Sequence, residues 1–226
     1  MVKRSIFLTG FLLTVLLFLI ILSFNLYLSR ERERAVLDKM DEILEEYEEL
    51  QALTLLADLF DEESGCIAMA SRLSHMDRTL WDAGIKIDRY RTITEEFMDD
   101  PFYLEQKRKF NRNEVRYFSM LKEMKQRCVV NQTVLLYFYK RKEECADCDA
   151  QSFVLTDMNR EIDEELSIFS FDADLELPSI SVLTQFYNVT EYPCMVIEDG
   201  TYCGLRDKRM MTDVLCQGRN LSICSE

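Results

Sequence analysis

Two cysteines three positions apart, Cys145 and Cys148, lie between an apolar segment and a helix-forming segment. The upstream segment, residues 134–139, is apolar, aromatic and β-branched, which is typical of a buried strand. The downstream segment, residues 149–166, contains neither glycine nor proline and favours a helix. A CxxC pair at this junction brings its first thiol to a helix N-terminus, where partial positive charge favours the thiolate. This arrangement suits thiol–disulfide exchange.

The segments after the CxxC pair alternate between strand and helix patterns. A second apolar run covers residues 166–171, and Pro178 opens a short amphipathic helix. Pro193 leads into another apolar strand, and the Asp-Gly pair at 199–200 is a strong signal for a two-residue hairpin. A last helix is predicted over residues 207–217. The predicted order of elements is therefore β-α-β-α-β-β-α.

In order and spacing, residues 131–218 resemble the thioredoxin-fold family. The shared features are the aromatic strand before the CxxC pair, the proline before the third strand, and the hairpin followed by Gly204. The resemblance implies an α/β thioredoxin-like domain, a central mixed sheet flanked by helices. It also implies that Cys145 and Cys148 are the catalytic pair and that Pro193 is a cis-proline packed against them.

In such a site Cys145 is the attacking thiolate and Cys148 is the resolving thiol. The motif also departs from the family pattern: Ala-Asp separates the cysteines, no Trp precedes them, and Tyr137 stands where thioredoxins carry a buried Asp. Four carboxylates surround the motif, at positions 143, 144, 147 and 149. Nearby carboxylates disfavour the thiolate, so we expect a reducing pair rather than a potent oxidant.

The remaining C-terminal cysteines have several candidate pairings. Cys194 follows Pro193 directly, and the resemblance places it close to the catalytic pair. It is either an accessory thiol able to form an alternative disulfide or an inert buried cysteine. Cys203 and Cys216 are candidates to pair with each other, and Cys224 is either free or bridged to Cys216. The sequence leaves these pairings open.

The middle of the chain reads as three helices. Residues 31–60 repeat apolar side chains at helical spacing and predict a stalk. After a predicted break at 61–65, helical patterns over 67–91 and 101–127 are joined by a short loop and predict an antiparallel hairpin. This brings Cys66 and Cys128 to the same end of the hairpin, where we expect a structural disulfide; two unpaired buried thiols are the alternative.

The N-terminal segment predicts a membrane anchor. Residues 6–28 contain no charged side chain. This uncharged segment is longer than the roughly 18 apolar residues of a membrane span and the roughly 7–15 of a cleavable signal. Basic residues directly after this segment favour a cytoplasmic C-terminus. Eight cysteines and three Asn-x-Ser/Thr acceptors (Asn131, Asn188, Asn220) favour export. We expect a single-pass protein with an extracytoplasmic C-terminal domain.

The predicted division is a signal anchor at 1–29, a helical stalk and hairpin at 30–128, a thioredoxin-like domain at 129–218 and a tail at 219–226. With 27 basic and 41 acidic residues the net charge is −14, which argues against nucleic acid as a partner. A zinc site would need Cys194 and Cys203 beside the CxxC pair, without a second CxxC. We therefore expect neither a metal nor a cofactor.

These observations predict a membrane-anchored thiol–disulfide oxidoreductase that acts on exported protein thiols and disulfides through Cys145 and Cys148. A membrane redox partner that recharges the pair is a further expectation from related systems. The alternative is a redox-inactive interaction or scaffold module in which the CxxC pair is a structural disulfide, since one fold hosts many functions.

Overall fold

Three long helices form the N-terminal half of the molecule in the computed structural model. It describes residues 4–59, 62–91, 100–128, 130, 132–162, 165–198, 200–219 and 221–225. The helices are α1 (Arg4–Leu59), α2 (Glu62–Arg91) and α3 (Pro101–Arg127). The predicted break at 61–65 is too long, because α2 already includes residues 62–65; Phe60 and Asp61 lie outside the described residues. Acidic residues at a helix N-terminus are favourable, and a single glycine costs a helix only about 1 kcal/mol.

Helix α1 changes character along its 56 residues. Its first half is long and apolar enough to cross a membrane, and none of its most apolar stretch is buried in the protein. Its second half is amphipathic and buries Val36, Met40, Ile43 and Leu50 in a core shared with α2 and α3. One continuous helix therefore belongs both to the apolar segment and to the folded body.

The C-terminal half contains a mixed four-stranded sheet. Its strands are β1 (Thr133–Tyr139), β2 (Leu166–Asp172), β3 (Cys194–Ile197) and β4 (Gly200–Cys203), in the spatial order β2-β1-β3-β4. Strands β1 and β2 are parallel, whereas β3 runs antiparallel to both β1 and β4. The helices of this half are α4 (Cys148–Ile162), α5 (Pro178–Phe186) and α6 (Lys208–Leu215).

The two faces of the sheet carry separate cores. On one face, Leu136 and Phe138 of β1 belong to a core that also contains side chains of α1, α2, α3 and α5. On the other face, Leu135 and Tyr137 pack with side chains of α4 and α6. The alternation follows from the strand period of two. The sheet is thus covered by helices on both faces.

Helix α3 also covers the edge of the sheet formed by β2. Strand β2 is an edge strand, and Glu114 Oε1 and Asn111 Oδ1 accept hydrogen bonds from the backbone N–H groups of Ser170 (2.8 Å) and Asp172 (2.9 Å). Unpaired N–H groups on an edge strand invite pairing with other chains. Polar side chains of α3 satisfy two of these groups and fix the helix along β2.

Candidate functional site

The CxxC pair lies where the chain passes from β1 into α4. Cys145 and Cys148 form a disulfide with a Cα–Cα distance of 5.4 Å. Cys148 is the first residue of α4, and Cys145 lies in the turn before it. The backbone N–H of Cys148 donates to the Cys145 carbonyl at 3.4 Å. The second cysteine, rather than the first, therefore stands at the helix N-terminus.

Cys148 receives contacts from Tyr137 of β1 and from Lys140, the first residue after this strand. The backbone N–H of Lys140 donates to Cys148 Sγ at 3.5 Å, and the Tyr137 hydroxyl donates to the Cys148 carbonyl at 2.6 Å. Burial, together with Asp149, raises the pKa of Tyr137 well above its usual value. Tyr137 therefore stays protonated and acts as a hydrogen-bond donor that holds the start of α4 against β1. It does not replace a carboxylate as a proton acceptor.

Charged side chains beside the motif are paired with one another. Lys140 pairs with Glu144 and lies 3.6 Å from Asp174 Oδ1. Arg141 donates its backbone N–H to Asp174 Oδ2 at 2.7 Å, and its Nε lies 3.9 Å from the same oxygen. The hydrogen bond with Glu144 is the main cause of the raised pKa of Lys140. Two of the acidic groups near the disulfide are therefore balanced by basic neighbours.

Pro193 lies at the same end of the sheet as the CxxC pair. The Tyr192–Pro193 peptide bond is cis, and Pro193 is buried. Because Cys194 pairs with Phe138 in the register of β3 and β1, Pro193 stands beside the end of β1, where the chain turns towards Cys145. The Pro193 carbonyl accepts a hydrogen bond from Gly204 at 2.8 Å. Cys145, Cys148 and Pro193 therefore all lie at the end of the sheet where β1 ends.

Cys194 is paired with Cys203 across β3 and β4. Cys194 is fully buried and shares the core of Phe138, on the sheet face opposite to α4. The sequence leaves this pairing open, although the hairpin between β3 and β4 carries a signal for it. Gly200 is the first residue of β4 and pairs with Ile197, so it is not part of the turn predicted at 199–200; in the same register Cys194 and Cys203 stand opposite each other. Asp199 itself lies outside the described residues.

The other four cysteines form two further disulfides. Cys66 and Cys128 are joined at the end of the α2–α3 hairpin, with a Cα–Cα distance of 5.5 Å. Cys216 is joined to Cys224, not to Cys203, and thus ties the last helix to the C-terminal turn. All eight cysteines lie in the described part of the chain and all are paired. Within that part, no group of three or more His, Cys, Asp or Glu residues is placed to hold a metal ion.

The sequence does not predict a group of buried polar side chains on α3 and β2. Lys107 of α3 pairs with Asp172 at the end of β2, and its ammonium group lies 5.3 Å from the Tyr139 ring centroid. Glu114 follows two turns later on α3 and is also buried. The available signal was polar residues on the apolar face of an amphipathic helix. Their partners on β2 are distant in sequence, so the pattern alone does not reveal the pairing.

No protein-family model matches the chain, and no curated protein matches its sequence. One solved structure, described as "Structure of a malarial protein", aligns with 14% sequence identity over 38% of this chain and 94% of that chain. The TM-score of that alignment is 0.33.

Proposed function

We propose that the protein is a membrane-anchored thiol–disulfide oxidoreductase that exchanges disulfides with exported proteins through Cys145 and Cys148. The observation that carries the proposal is the disulfide between these residues at the junction of β1 and α4. Cys148 is the first residue of α4, and its Sγ accepts the backbone N–H of Lys140. These are the features that stabilise a thiolate.

We further propose that the C-terminal half is a thioredoxin-like domain. The element order in the described residues supports this, as does a mixed sheet with helices on both faces. The position of Pro193 beside the end of β1 gives further support, because the resemblance assigns it a place next to the catalytic pair.

The exchange proceeds in two steps. A substrate thiolate attacks Cys145 Sγ, a mixed disulfide forms, and the electron pair of the broken S–S bond passes to Cys148 Sγ. The Lys140 N–H stabilises this leaving thiolate. A second substrate thiolate then attacks the substrate sulfur of the mixed disulfide and releases the Cys145 thiolate. The substrate becomes a disulfide and the CxxC pair a dithiol; in the opposite direction Cys145 attacks a substrate disulfide and Cys148 resolves it.

The proposed location is extracytoplasmic, with the apolar half of α1 as a single-pass anchor. Four disulfides suit an oxidising compartment. Asn188, in one of the three predicted glycosylation triplets, is exposed, whereas Asn131 and Asn220 lie outside the described residues.

The alternative function, a redox-inactive scaffold, is favoured by one observation. Cys145 is only 4% exposed and Cys148 only 3% exposed, so an incoming thiolate reaches either sulfur only if the surrounding loops move. A disulfide that is closed off in this way would act as a structural link between β1 and α4.

Titration in glutathione redox buffers separates the two functions. The full chain in detergent micelles is equilibrated at a series of potentials, and differential alkylation with mass spectrometry reports each cysteine pair. We expect a reversible transition of the Cys145–Cys148 pair that Cys145→Ser abolishes. The Cys66–Cys128 disulfide serves as the internal control and stays oxidised. A CxxC pair that stays oxidised until the protein unfolds would overturn the oxidoreductase proposal and favour the scaffold.

A further inference from the structure

The direction of each helix relative to the apolar segment can be read from its contacts. Thr54 of α1 meets Met69 of α2, where Oγ1 and Sδ are 3.5 Å apart. Farther along α2, His75 Nε2 lies 3.0 Å from Glu46 Oε1 of α1. Residue numbers rise along α2 while they fall along α1, so α2 runs antiparallel to α1. It therefore returns towards the apolar segment.

Helix α3 reverses the direction once more. The Tyr117 hydroxyl donates to the Leu73 carbonyl at 3.0 Å, and Cys66, near the start of α2, is joined to Cys128 at the end of α3. Helix α3 is therefore antiparallel to α2 and parallel to α1. It runs away from the apolar segment, and its N-terminal half is the half nearer to that segment.

The parallel strands run opposite to α3. Along β2, Ser170 bonds Glu114 and Asp172 bonds Asn111, so numbers rise on the strand as they fall on the helix. Strand β1 is parallel to β2 and has the same direction. Both strands end on the side of the apolar segment. The end of the sheet that carries Cys145 and Cys148 therefore faces the bilayer that this segment would enter.

The distance to the bilayer follows from the helix rise. The Arg116 guanidinium lies 5.5 Å from the Tyr47 ring centroid, which places these residues of α3 and α1 at one level. Lys107, nine residues earlier on α3, is then level with about residue 38 of α1. Residue 38 lies ten residues beyond Leu28, the end of the apolar segment. At about 1.5 Å per residue this is roughly 15 Å.

The CxxC pair lies slightly beyond this level, on the bilayer side. Lys107 contacts the ring of Tyr139, the last residue of β1, and the N–H of the next residue, Lys140, bonds Cys148 Sγ. One further strand residue brings the chain about 3.3 Å closer to the end of the apolar segment. The disulfide is therefore roughly 10–15 Å from the end of the apolar segment.

This gap restricts what reaches the site. A folded domain of 100 residues has a radius of gyration of about 13 Å, so its diameter of roughly 30 Å exceeds the gap. An extended segment or a short loop fits within it. Because α1 is one helix from Arg4 to Leu59 and its second half packs in the core, this helix holds the folded body at a fixed distance from the apolar segment.

From this geometry, which rests on the proposed function for its chemistry, we propose that the substrates are cysteines of membrane-anchored proteins held within about 15 Å of the bilayer surface. In the exchange, the partner's thiolate attacks Cys145 Sγ and displaces Cys148. The partner's second thiolate then closes its own disulfide and releases Cys145. The partner loses two electrons and the CxxC pair gains them; a partner disulfide runs the same steps in reverse.

The test uses the full chain in liposomes with transmembrane peptides that carry a CxxC dithiol on a helical stalk. One peptide holds its thiols about 8 residues beyond its apolar segment, roughly 12 Å, and the other about 20 residues beyond, roughly 30 Å. We expect the near peptide to exchange with Cys145–Cys148 at least ten-fold faster. Equal rates, or a faster far peptide, would overturn the proposal.

A lengthened α1 provides the matched variant. An insertion of 18 helix-forming residues between Arg34 and Ala35 adds five full turns and raises the folded body by about 27 Å without rotating it. It precedes Val36, the first buried residue of α1, so the core is unchanged. We expect the preference to reverse towards the far peptide. The same length of Gly and Ser should abolish the preference, and unchanged exchange with glutathione shows that each variant is folded.

Photo-cross-linking distinguishes failure of the orientation from failure of the proposed function. A photoreactive residue replaces either Lys142, exposed beside the CxxC pair, or Gln126, exposed at the far end of α3. We expect position 142, and not 126, to cross-link the stalk of the near peptide. Cross-links from 126 alone would overturn the orientation. Cross-links from 142 without any exchange, with peptides or glutathione, would overturn the proposed function alone.

Discussion

Lys107 and Asp172 form an ion pair that is almost closed off from solvent. Their side chains are 11% and 2% exposed. Removing one partner of a buried pair leaves the other charge uncompensated, at a cost of about 3–5 kcal/mol. We therefore expect Lys107→Met to lower the free energy of unfolding by this amount. Chemical unfolding of the full chain in detergent at pH 7 measures it.

Lys109 offers a matched control on the same helix. It pairs with Glu105, but the two side chains are 46% and 63% exposed. Exposed pairs contribute about 0–1 kcal/mol, so Lys109→Met should change the unfolding free energy little. If both lysine variants lost the same stability, burial of the Lys107 pair would not be the cause of its effect.

Glu114 makes stability depend on pH. Its Oε1 accepts the Ser170 N–H, and burial raises its pKa well above the usual value. Between the ordinary glutamate value of about 4.3 and this raised pKa, the folded state binds more protons than the unfolded state. The free energy of unfolding therefore falls as pH rises through this window. We expect Glu114→Gln, which keeps an acceptor for Ser170, to remove this loss.

Denaturant midpoints measured from pH 4 to pH 8 test the role of Glu114. The Gln variant should match the parent near pH 4 and exceed it progressively as pH rises. Glu114→Ala is the control, because it leaves the Ser170 N–H without its acceptor and should cost about 1–3 kcal/mol even at acidic pH. Parallel curves for the parent and the Gln variant would contradict a raised pKa at this position.

At the scale of elements, local sequence patterns predict the bounds of helices and strands better than they predict tertiary contacts. Proline at the start and basic residues at the end mark α3, and its predicted bounds, 101–127, agree with the structure. Strand β1 begins one residue earlier than predicted, at Thr133. Helix α2 begins earlier than predicted, because two acidic residues and one glycine are compatible with a helix N-terminus. The buried polar side chains of α3 depend on the edge of β2, and no local pattern encodes that contact.

The Cys66–Cys128 and Cys216–Cys224 disulfides should stabilise the fold to different extents. Cys66 and Cys128 are 62 residues apart, whereas Cys216 and Cys224 are 8 apart. In the chain-entropy model a longer closed loop gives the larger effect, about 4 kcal/mol for the first and about 2.5 kcal/mol for the second. We expect Cys66→Ala/Cys128→Ala to lower the unfolding free energy more than Cys216→Ala/Cys224→Ala. Equal losses in chemical unfolding would argue against loop entropy as the source.

Helix α1 contributes to the folded body as well as carrying the apolar segment. Its second half places four apolar side chains in the core, and the Arg116 guanidinium of α3 lies over its Tyr47 ring. The sequence predicts this half as a stalk whose apolar stripe packs on the protein's own helices, so the packing was accessible from periodicity. The sequence does not predict which end of the sheet faces the apolar segment, because this depends on three successive reversals of chain direction.

Two truncations separate the apolar segment of α1 from the half that packs in the core. A chain that begins at Glu31 lacks the apolar segment but keeps Val36, Met40, Ile43 and Leu50, all buried. A chain that begins at Gln51 lacks these four side chains, each of which contributes about 1.5–3 kcal/mol when buried. Their sum, roughly 6–12 kcal/mol, is comparable to the 5–15 kcal/mol that stabilises a typical domain. We expect cooperative thermal unfolding of the first truncation and none of the second. If the second unfolded cooperatively at the same temperature as the first, the second half of α1 would be dispensable for the fold. The fixed distance between the apolar segment and the CxxC pair would then lose its basis.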